Sequence, residues 1–245
     1  MTVGKSRATR KPEGVYHHGD LRRTLLDTAL ELARIRGPAG FTLAEICRTA
    51  GVSQAAPYRH FESKEHILAV AAKEGFAKLT EAIESAIGGP PGFDALLERL
   101  ARGYLCFARE YPAHLAVMFT NSRSDHFDGA LNDPCTAGPE GLNKLPAPAN
   151  PTEEALMESR RAGQDSFLAF AHALVGAARG SPLETRVAEA EGHLFAAACW
   201  AMLHGVAVLW LERMIPAEWE HDDFILVCEW IVRPWLAGMQ AATVS

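Results

Sequence analysis

The sequence predicts an all-α protein in which a small N-terminal three-helix unit is joined to a larger helical body. Three observations carry that expectation. Apolar residues recur at helical spacing through most of the 245 residues. A glycine corner joins two short helical segments between Phe41 and Lys64, and Leu194 to Leu211 runs for 18 residues with His204 as its only strongly polar side chain. A hydrophobic fraction of 48% and a charged fraction of 22% are ordinary for a soluble globular chain with an ample core.

The opening segment MTVGKSRATRKPEG is basic and has no apolar run behind it, which argues against a secretory signal. Residues 1–17 read as a flexible basic arm, residues 18–66 as the small unit and residues 67–245 as the body. Leu21, Leu25, Thr28, Ala29 and Leu32 form one stripe of a helix over about 18–36, ended by Gly37-Pro38. Leu43, Ile46, Cys47 and Ala50 share a face of a short second helix, with Thr42 as its N-cap. Gly51 supplies the corner, where a left-handed backbone suits glycine.

Ser53 is expected to cap the third helix, which carries Gln54, Ala55 and Ala56 at its start. Pro57 falls in the first turn, where a missing N–H costs little. Tyr58, Arg59 and His60 crowd hydrogen-bond donors onto this segment, and Phe61 returns an apolar anchor. A helix-turn-helix built this way directs the N-terminal end of its second helix into the major groove of DNA. An ordinary helical corner with a solvated polar face has the same spacing.

Charge favours the first reading. Residues 1–66 hold 11 Lys/Arg against 7 Asp/Glu, a net +4, whereas the remainder holds 13 against 23, a net −10. The basic end coincides with the corner motif, as attraction to phosphates requires.

The run TLAEICRTAGVSQAAPYRHFESKEHIL resembles the DNA-binding signature of the tetracycline-repressor (TetR) family. Ala50, Gly51, Val52, Ser53, Tyr58, His60, Phe61, Ser63, Lys64 and Leu68 stand in register over about residues 19–68. Arg48-Thr49 departs from the family pattern, in which a small residue commonly comes first. The resemblance implies a transcriptional regulator, by default a repressor, and puts Thr42, Ser53, Tyr58, His60 and Lys64 on the phosphate backbone. Residue chemistry adds Gln54 as base reader, since its amide can pair bidentately with adenine. Arg48 and Arg59 are further phosphate candidates, and Ala55 and Pro57 belong to the groove-facing end.

Beyond the motif, Ser63 caps a helix with Ile67, Ala71, Phe76, Leu79, Ile83 and Ile87 near one face, stopped by GGPPG at 88–92. Its length of roughly 37 Å makes it the candidate mechanical link to the body. Two helices follow, 93–109 (Phe93, Leu96, Leu97, Leu100, Tyr104, Phe107) and 112–120 (Leu115, Met118, Phe119), separated by Pro112. Residues 121–152 lose the period and are rich in Pro, Gly and Asn, so they read as a disordered loop or a functional lid, with composition favouring disorder. Helical spacing returns from Glu153 to Ala178.

In residues 183–213 two apolar stripes can be traced. Val187, Ala190, Leu194, Ala197, Ala201, Val208 and Leu211 form one, and Ala196, Trp200, Leu203, Ala207 and Trp210 the other. A helix apolar on two sides is buried on two sides, and a membrane span needs about 20 residues. The expectation is that this helix and the one over 219–240, kinked at Pro234, pair with their copies in a four-helix homodimer interface.

WAMLHG at Trp200–Gly205, with the downstream LWLE, resembles the Trp-His-Gly ligand-binding and dimerisation domain of one TetR branch. That implies a small-molecule effector of unspecified identity. Tyr104, Phe107, Met118, Phe119, Phe167, Phe170, Trp200 and His204 are the candidate lining residues, with plain core packing the alternative for each. His204 needs a hydrogen-bond partner, from a ligand or from a backbone carbonyl.

The five cysteines, 47, 106, 135, 199 and 228, are scattered without a CxxC pair, so neither a disulfide framework nor a zinc site is expected. No metal-ligand spacing, GxSxG elbow or phosphate-cradling glycine loop occurs. The expected protein is therefore a cytoplasmic homodimer that is not an enzyme, needs no cofactor and does not enter the membrane. It would bind a near-palindromic double-stranded operator and be released by a small hydrophobic effector. A redox sensor using Cys106, Cys135 or Cys199, or a helical enzyme, are the alternatives.

Overall fold

The computed structural model describes residues 21–89, 92–119, 147–181, 184 and 189–214. The arm over 1–17, Cys135, Cys228, the helix expected at 219–240 and most of the segment 121–152 lie outside the described residues. Seven α-helices and one 3-10 turn, with no strand among the described residues, bear out the all-α expectation. They are α1 (Leu21–Arg36), α2 (Leu43–Ala50), α3 (Lys64–Ile87), α4 (Phe93–Glu110), α5 (Pro112–Met118), α6 (Pro151–Ala178) and α7 (Glu189–Leu211), with the 3-10 turn at Pro57–Arg59.

The stripe on α1 is buried through Leu25, Ala29 and Leu32. On α2 a reciprocal capping box starts the helix: Glu45 N–H donates to Thr42 Oγ1 at 3.3 Å, and Thr42 N–H donates to Glu45 Oε2 at 3.0 Å. Gly51 ends it with φ of 70°, the left-handed conformation expected there.

The Ser63 hydroxyl accepts from His66 N–H at 3.0 Å and starts α3, which runs 24 residues and joins the corner motif to the body. Ile67, Ala71, Phe76, Leu79 and Ile83 are buried as expected, whereas Ile87 is exposed and Ala86 takes the inward place at the C-terminal end. The most extensive contact of α3 is with α6. There the buried Ser166 hydroxyl donates to Phe76 O at 3.2 Å and meets Thr80 Oγ1 at 2.7 Å, so a polar group at the helix interface is satisfied. Against α5 the approach is tight, since a Cβ on Gly75 would lie 2.6 Å from Met118 Sδ and 3.0 Å from His114 Cβ.

Residues 151–152, expected in the loop, are instead the first turn of α6. Asn150 Oδ1 accepts from Glu153 N–H at 2.9 Å and Glu153 Oε2 accepts from Ala149 N–H at 2.8 Å, with Pro151 inside the first turn. That cap makes the Pro a starter rather than a breaker.

One continuous core runs from Leu25 in α1 to Ala207 in α7, so the boundary expected at residue 66 falls inside the first turn of α3 and is crossed by shared packing. The stripe Ala196, Leu203 and Ala207 faces this core, while Leu194, Ala197 and Ala201 face outward. Gly192–Leu211 is long and apolar enough to span a membrane, with mean hydropathy 1.9, but its inward stripe is committed to packing against α6 and α4.

At the junction, Arg23 on α1 pairs with Glu74 on α3 at 2.9 Å, and His114 on α5 brings Nε2 within 4.0 Å of the same carboxylate. Burial, with Lys78 next, pushes the His114 imidazole below its ordinary value of 6.5, and Glu74 only partly offsets this. The unfolded chain takes up that proton first, so the stability His114 contributes is complete above 6.5 and is lost as pH falls through the depressed folded value. The denaturant midpoint is therefore expected to be lower at about pH 5.5 than at about pH 7.5, and His114→Gln to shrink the difference. An unchanged pH dependence in the variant would remove this assignment.

Candidate nucleic-acid interface and apolar cleft

The segment after Gly51 is not the regular helix the sequence predicts. Ala56 N–H donates to Ser53 O at 3.0 Å, and Ser53–Ala56 forms a turn leading into the 3-10 turn at Pro57–Arg59. An α-helix starting at Ser53 would need the residue-57 N–H on Ser53 O, and proline has none. The bond from Ala56 takes over and tightens the coil. His60 and Phe61 N–H then both reach Pro57 O, at 2.8 and 2.9 Å.

Phe61 fixes this reading head to the rest of the unit. It is 1% exposed, its ring stands edge-on to His66 at 5.3 Å, and the Arg22 guanidinium lies 5.3 Å over it. The outer face carries Arg48, Ser53, Gln54, Ala55, Tyr58, Arg59 and His60, all exposed, with Tyr58 64% exposed. Such a row offers base-edge and phosphate partners from one side.

Pro57 and Lys64 are placed differently from the sequence expectation, whereas Thr42 caps α2 as expected. Pro57 is buried, so it shapes the turn instead of lining the outer face. Lys64 is half-buried, and its ammonium donates to Pro38 O at 3.3 Å and Phe41 O at 3.1 Å beneath the reading head. Thr42 is exposed but its hydroxyl is engaged in the capping box. The Gln54 side-chain amide donates to Ala44 O at 3.3 Å, which orients it from α2 while leaving its oxygen and second N–H for another partner.

A link that sequence reasoning missed ties the head to α6. Thr152 N–H and Oγ1 both donate to Glu62 Oε2, at 3.2 and 3.0 Å, and Thr152 Oγ1 lies 3.4 Å from the Ser63 hydroxyl. Glu62 sits next to the anchor Phe61, so the first turn of α6 holds the head directly.

The body contains a cleft of about 290 Å3 between α3, α5, α6 and α7. Met118, Phe119, Phe167 and Trp200 line it, with Phe76, Ser159, Arg160 and Gly163 beside them. Tyr104, Phe107 and Phe170 are buried in the core rather than on the cleft wall. Tyr104 donates or accepts at His204 Nδ1 over 2.9 Å, so the partner His204 needs is a phenol and not a backbone carbonyl. Trp200 stands edge-on to Tyr104, Phe167 and Phe170, joining core and cleft. Cys199 is buried, which pushes its thiol up to about 12 and makes it unreactive as a redox switch. No cluster of metal-ligating side chains occurs among the described residues.

Helix α2, the glycine corner and a turn with an exposed polar outer face, seated on a helical body, have the layout of a helix-turn-helix DNA-binding unit. Residues 25–71 match the family described as "Bacterial regulatory proteins, tetR family". The chain thus carries the N-terminal DNA-binding domain of the TetR family. It is 38% identical over 60 residues to the HTH-type transcriptional regulator BetI of Rhizobium meliloti (strain 1021), a match over 24% of this chain and 30% of that regulator's length. A Rhodococcus sp. RHA1 structure described as a protein with unknown function shares the fold at a TM-score of 0.59 and 27% identity, over 88% of this chain and 95% of that one. A structure described as a bacterial regulatory protein in the tetR family from Rhodococcus RHA1 shares it at a TM-score of 0.51 and 17% identity, over 76% and 82% of the two chains. The likeness in the body concerns the fold alone.

Proposed function

We propose that the chain is a homodimeric transcriptional repressor of the cytoplasm, without enzymatic activity, that leaves a near-palindromic operator when a small effector fills the cleft. The observation that carries this reading is that α3 and α6 each serve both sites. Phe76 of α3 and Phe167 of α6 wall the cleft, while Ser63 and Thr152 at their starts hold the head. An effector that fits only one arrangement of these helices shifts the population by its differential affinity. The outward stripe of α7, Leu194, Ala197 and Ala201, supports the dimer, with two heads about 34–36 Å apart on successive major grooves.

By role, Gln54 reads a base edge, and Arg48, Ser53, Tyr58, Arg59 and His60 meet phosphates. Gln54→Ala is expected to relax preference at one operator position by about 1–3 kcal/mol. Arg59→Ala is expected to weaken all duplexes alike and to flatten the salt slope by about one. Anisotropy titrations over a salt series on matched and single-mismatch duplexes separate them, and equal behaviour of the two variants contradicts the division.

Thr152→Val keeps the shape of the side chain and removes a donor to Glu62. It is expected to leave effector affinity unchanged and to reduce effector-driven release several-fold. Full release in the variant would mean that coupling runs elsewhere. The experiment on the whole reading is a mobility shift with the DNA flanking its own gene, repeated across small hydrophobic compounds. A shift reversed by one of them supports the scheme, and a shift reversed by none contradicts the effector.

A further inference from the structure

We propose that a second cavity, between the C-terminal ends of α1 and α7 and the face of α5, binds an uncharged apolar molecule through a carbonyl-type oxygen, with His204 Nε2–H as the donor. This site is distinct from the cleft assigned to the effector, and it stands or falls separately. The cavity holds about 1060 Å3 and is walled by Ile35, Pro38, Leu115, Phe119, Val208 and Leu211. Small-molecule sites reach about 1000 Å3 and combine apolar walls with a few polar groups. Phe119 borders both spaces and stacks at 4.2 Å on His204, a half-buried ring that belongs to the lining of this cavity. Pro38, on the opposite wall, is the residue whose carbonyl accepts from Lys64 Nζ beneath the reading head.

The informative feature is the pair Tyr104 and His204, which fixes where the imidazole proton sits. Tyr104 is 1% exposed, and burial pushes its phenol well above the ordinary value of 10, so the hydroxyl keeps its proton. A buried hydroxyl proton needs an acceptor, and His204 Nδ1 lies 2.9 Å from the phenol oxygen. Burial also lowers the His204 imidazole below 6.5, so the ring is neutral at neutral pH. A neutral imidazole that accepts at Nδ1 carries its hydrogen on Nε2, which leaves one N–H for a partner in the cavity. The cations of the lining do not supply a counter-charge. Arg34 is paired with Glu31 at 2.6 Å and Arg36 with Glu45 at 2.8 Å, while Glu212 and Arg213 bring opposite charges side by side. One neutral donor does not offset the dehydration of a carboxylate, whereas it suits a ketone, ester or lactone oxygen on an apolar body.

The test is calorimetric titration of the full-length protein with butyrophenone, with butylbenzene, in which a methylene replaces the carbonyl, and with 4-phenylbutanoate. The ratio of ketone to hydrocarbon affinity is expected to fall about five- to ten-fold in His204→Phe, which keeps a ring and removes the donor, and to fall less in His204→Gln. Ile35→Glu, at an exposed position of the lining, should weaken both neutral compounds. Phe167→Ala, in the wall of the cleft, should leave both unchanged. Long-range 15N–1H spectra of histidine-labelled protein, with the His204 signals identified by their loss in His204→Phe, should show the Nε2–H tautomer. Tyr104→Phe should mix the two tautomers and lower ketone affinity, an effect that a purely structural Tyr104 would not have on the tautomer. Absence of ketone binding, a ratio unchanged in a folded His204→Phe protein, tighter binding of 4-phenylbutanoate than of the ketone, or a His204 proton on Nδ1 would each overturn the proposal. Ketone binding lost in Phe167→Ala and kept in Ile35→Glu would move the ligand to the cleft, overturning this site while leaving the effector reading in place.

Discussion

Replacing Phe61 by alanine is expected to abolish operator binding and to lower stability by about 3–5 kcal/mol, the range for losing a buried phenyl ring. The ring is 1% exposed and holds a turn that lacks a regular helical ladder. Neighbouring contacts cannot replace it, because the head has only the 3-10 turn at Pro57–Arg59 and flanking turns to resist collapse. Tyr58→Ala is the control: Tyr58 is 64% exposed, so its loss should leave the melting temperature almost unchanged while weakening DNA binding. Thermal unfolding and anisotropy on the same samples check both. A Phe61→Ala protein with native stability and native affinity would contradict the anchoring role.

Ala201→Glu is expected to separate the dimer and to reduce operator affinity by about 100-fold or more, because the second head then no longer binds at high effective concentration. Ala201 lies on the outward stripe of α7 with Leu194 and Ala197, where small side chains permit close helix approach. A carboxylate there would be buried without a partner, which is strongly unfavourable. The exposed site should leave the fold of the single chain intact. Sedimentation at micromolar concentration reads the outcome as a monomer for the variant and a dimer for the parent. A variant that remains dimeric with native operator affinity would move the interface away from α7.

Much of this architecture can be read from local chemistry. Thr42 as an N-cap, Gly51 at the corner and Ser63 before a long amphipathic run are signals in adjacent residues, and all act as the sequence predicts. The two stripes of α7 separate only in part: Ala196, Leu203 and Ala207 are buried and Leu194, Ala197 and Ala201 are exposed, whereas Leu211 of the latter stripe packs against the core. The departures arise where distant chain segments decide. Lys64 reads as a surface cation until the loop at Pro38–Phe41 folds beneath it and offers carbonyls. Pro57 is harmless in a helical first turn, yet its missing N–H falls where Ser53 needs a donor, so the helix becomes a turn.

The cleft was only partly legible. Met118, Phe119, Phe167 and Trp200 are aromatic or flexible apolar residues, which sequence alone cannot divide between wall and core. Arg160 carries no local signal that separates it from its neighbour Arg161, yet the first is half-buried and the second exposed. The start of α6 did carry a signal, Asn-Pro-Thr-Glu at 150–153, which is an N-cap with a proline in the first turn and a reciprocal acid.

The claim on which the account depends is sequence-selective binding of duplex DNA by paired reading heads. Hydroxyl-radical footprinting of the purified full-length protein on DNA flanking its own gene, at moderate salt and with random-sequence competitor, tests it most directly. The account predicts two protected patches on one face of the duplex, about one helical turn apart and related by a dyad. Protection that vanishes equally with any competitor, or falls on no defined site, would contradict it.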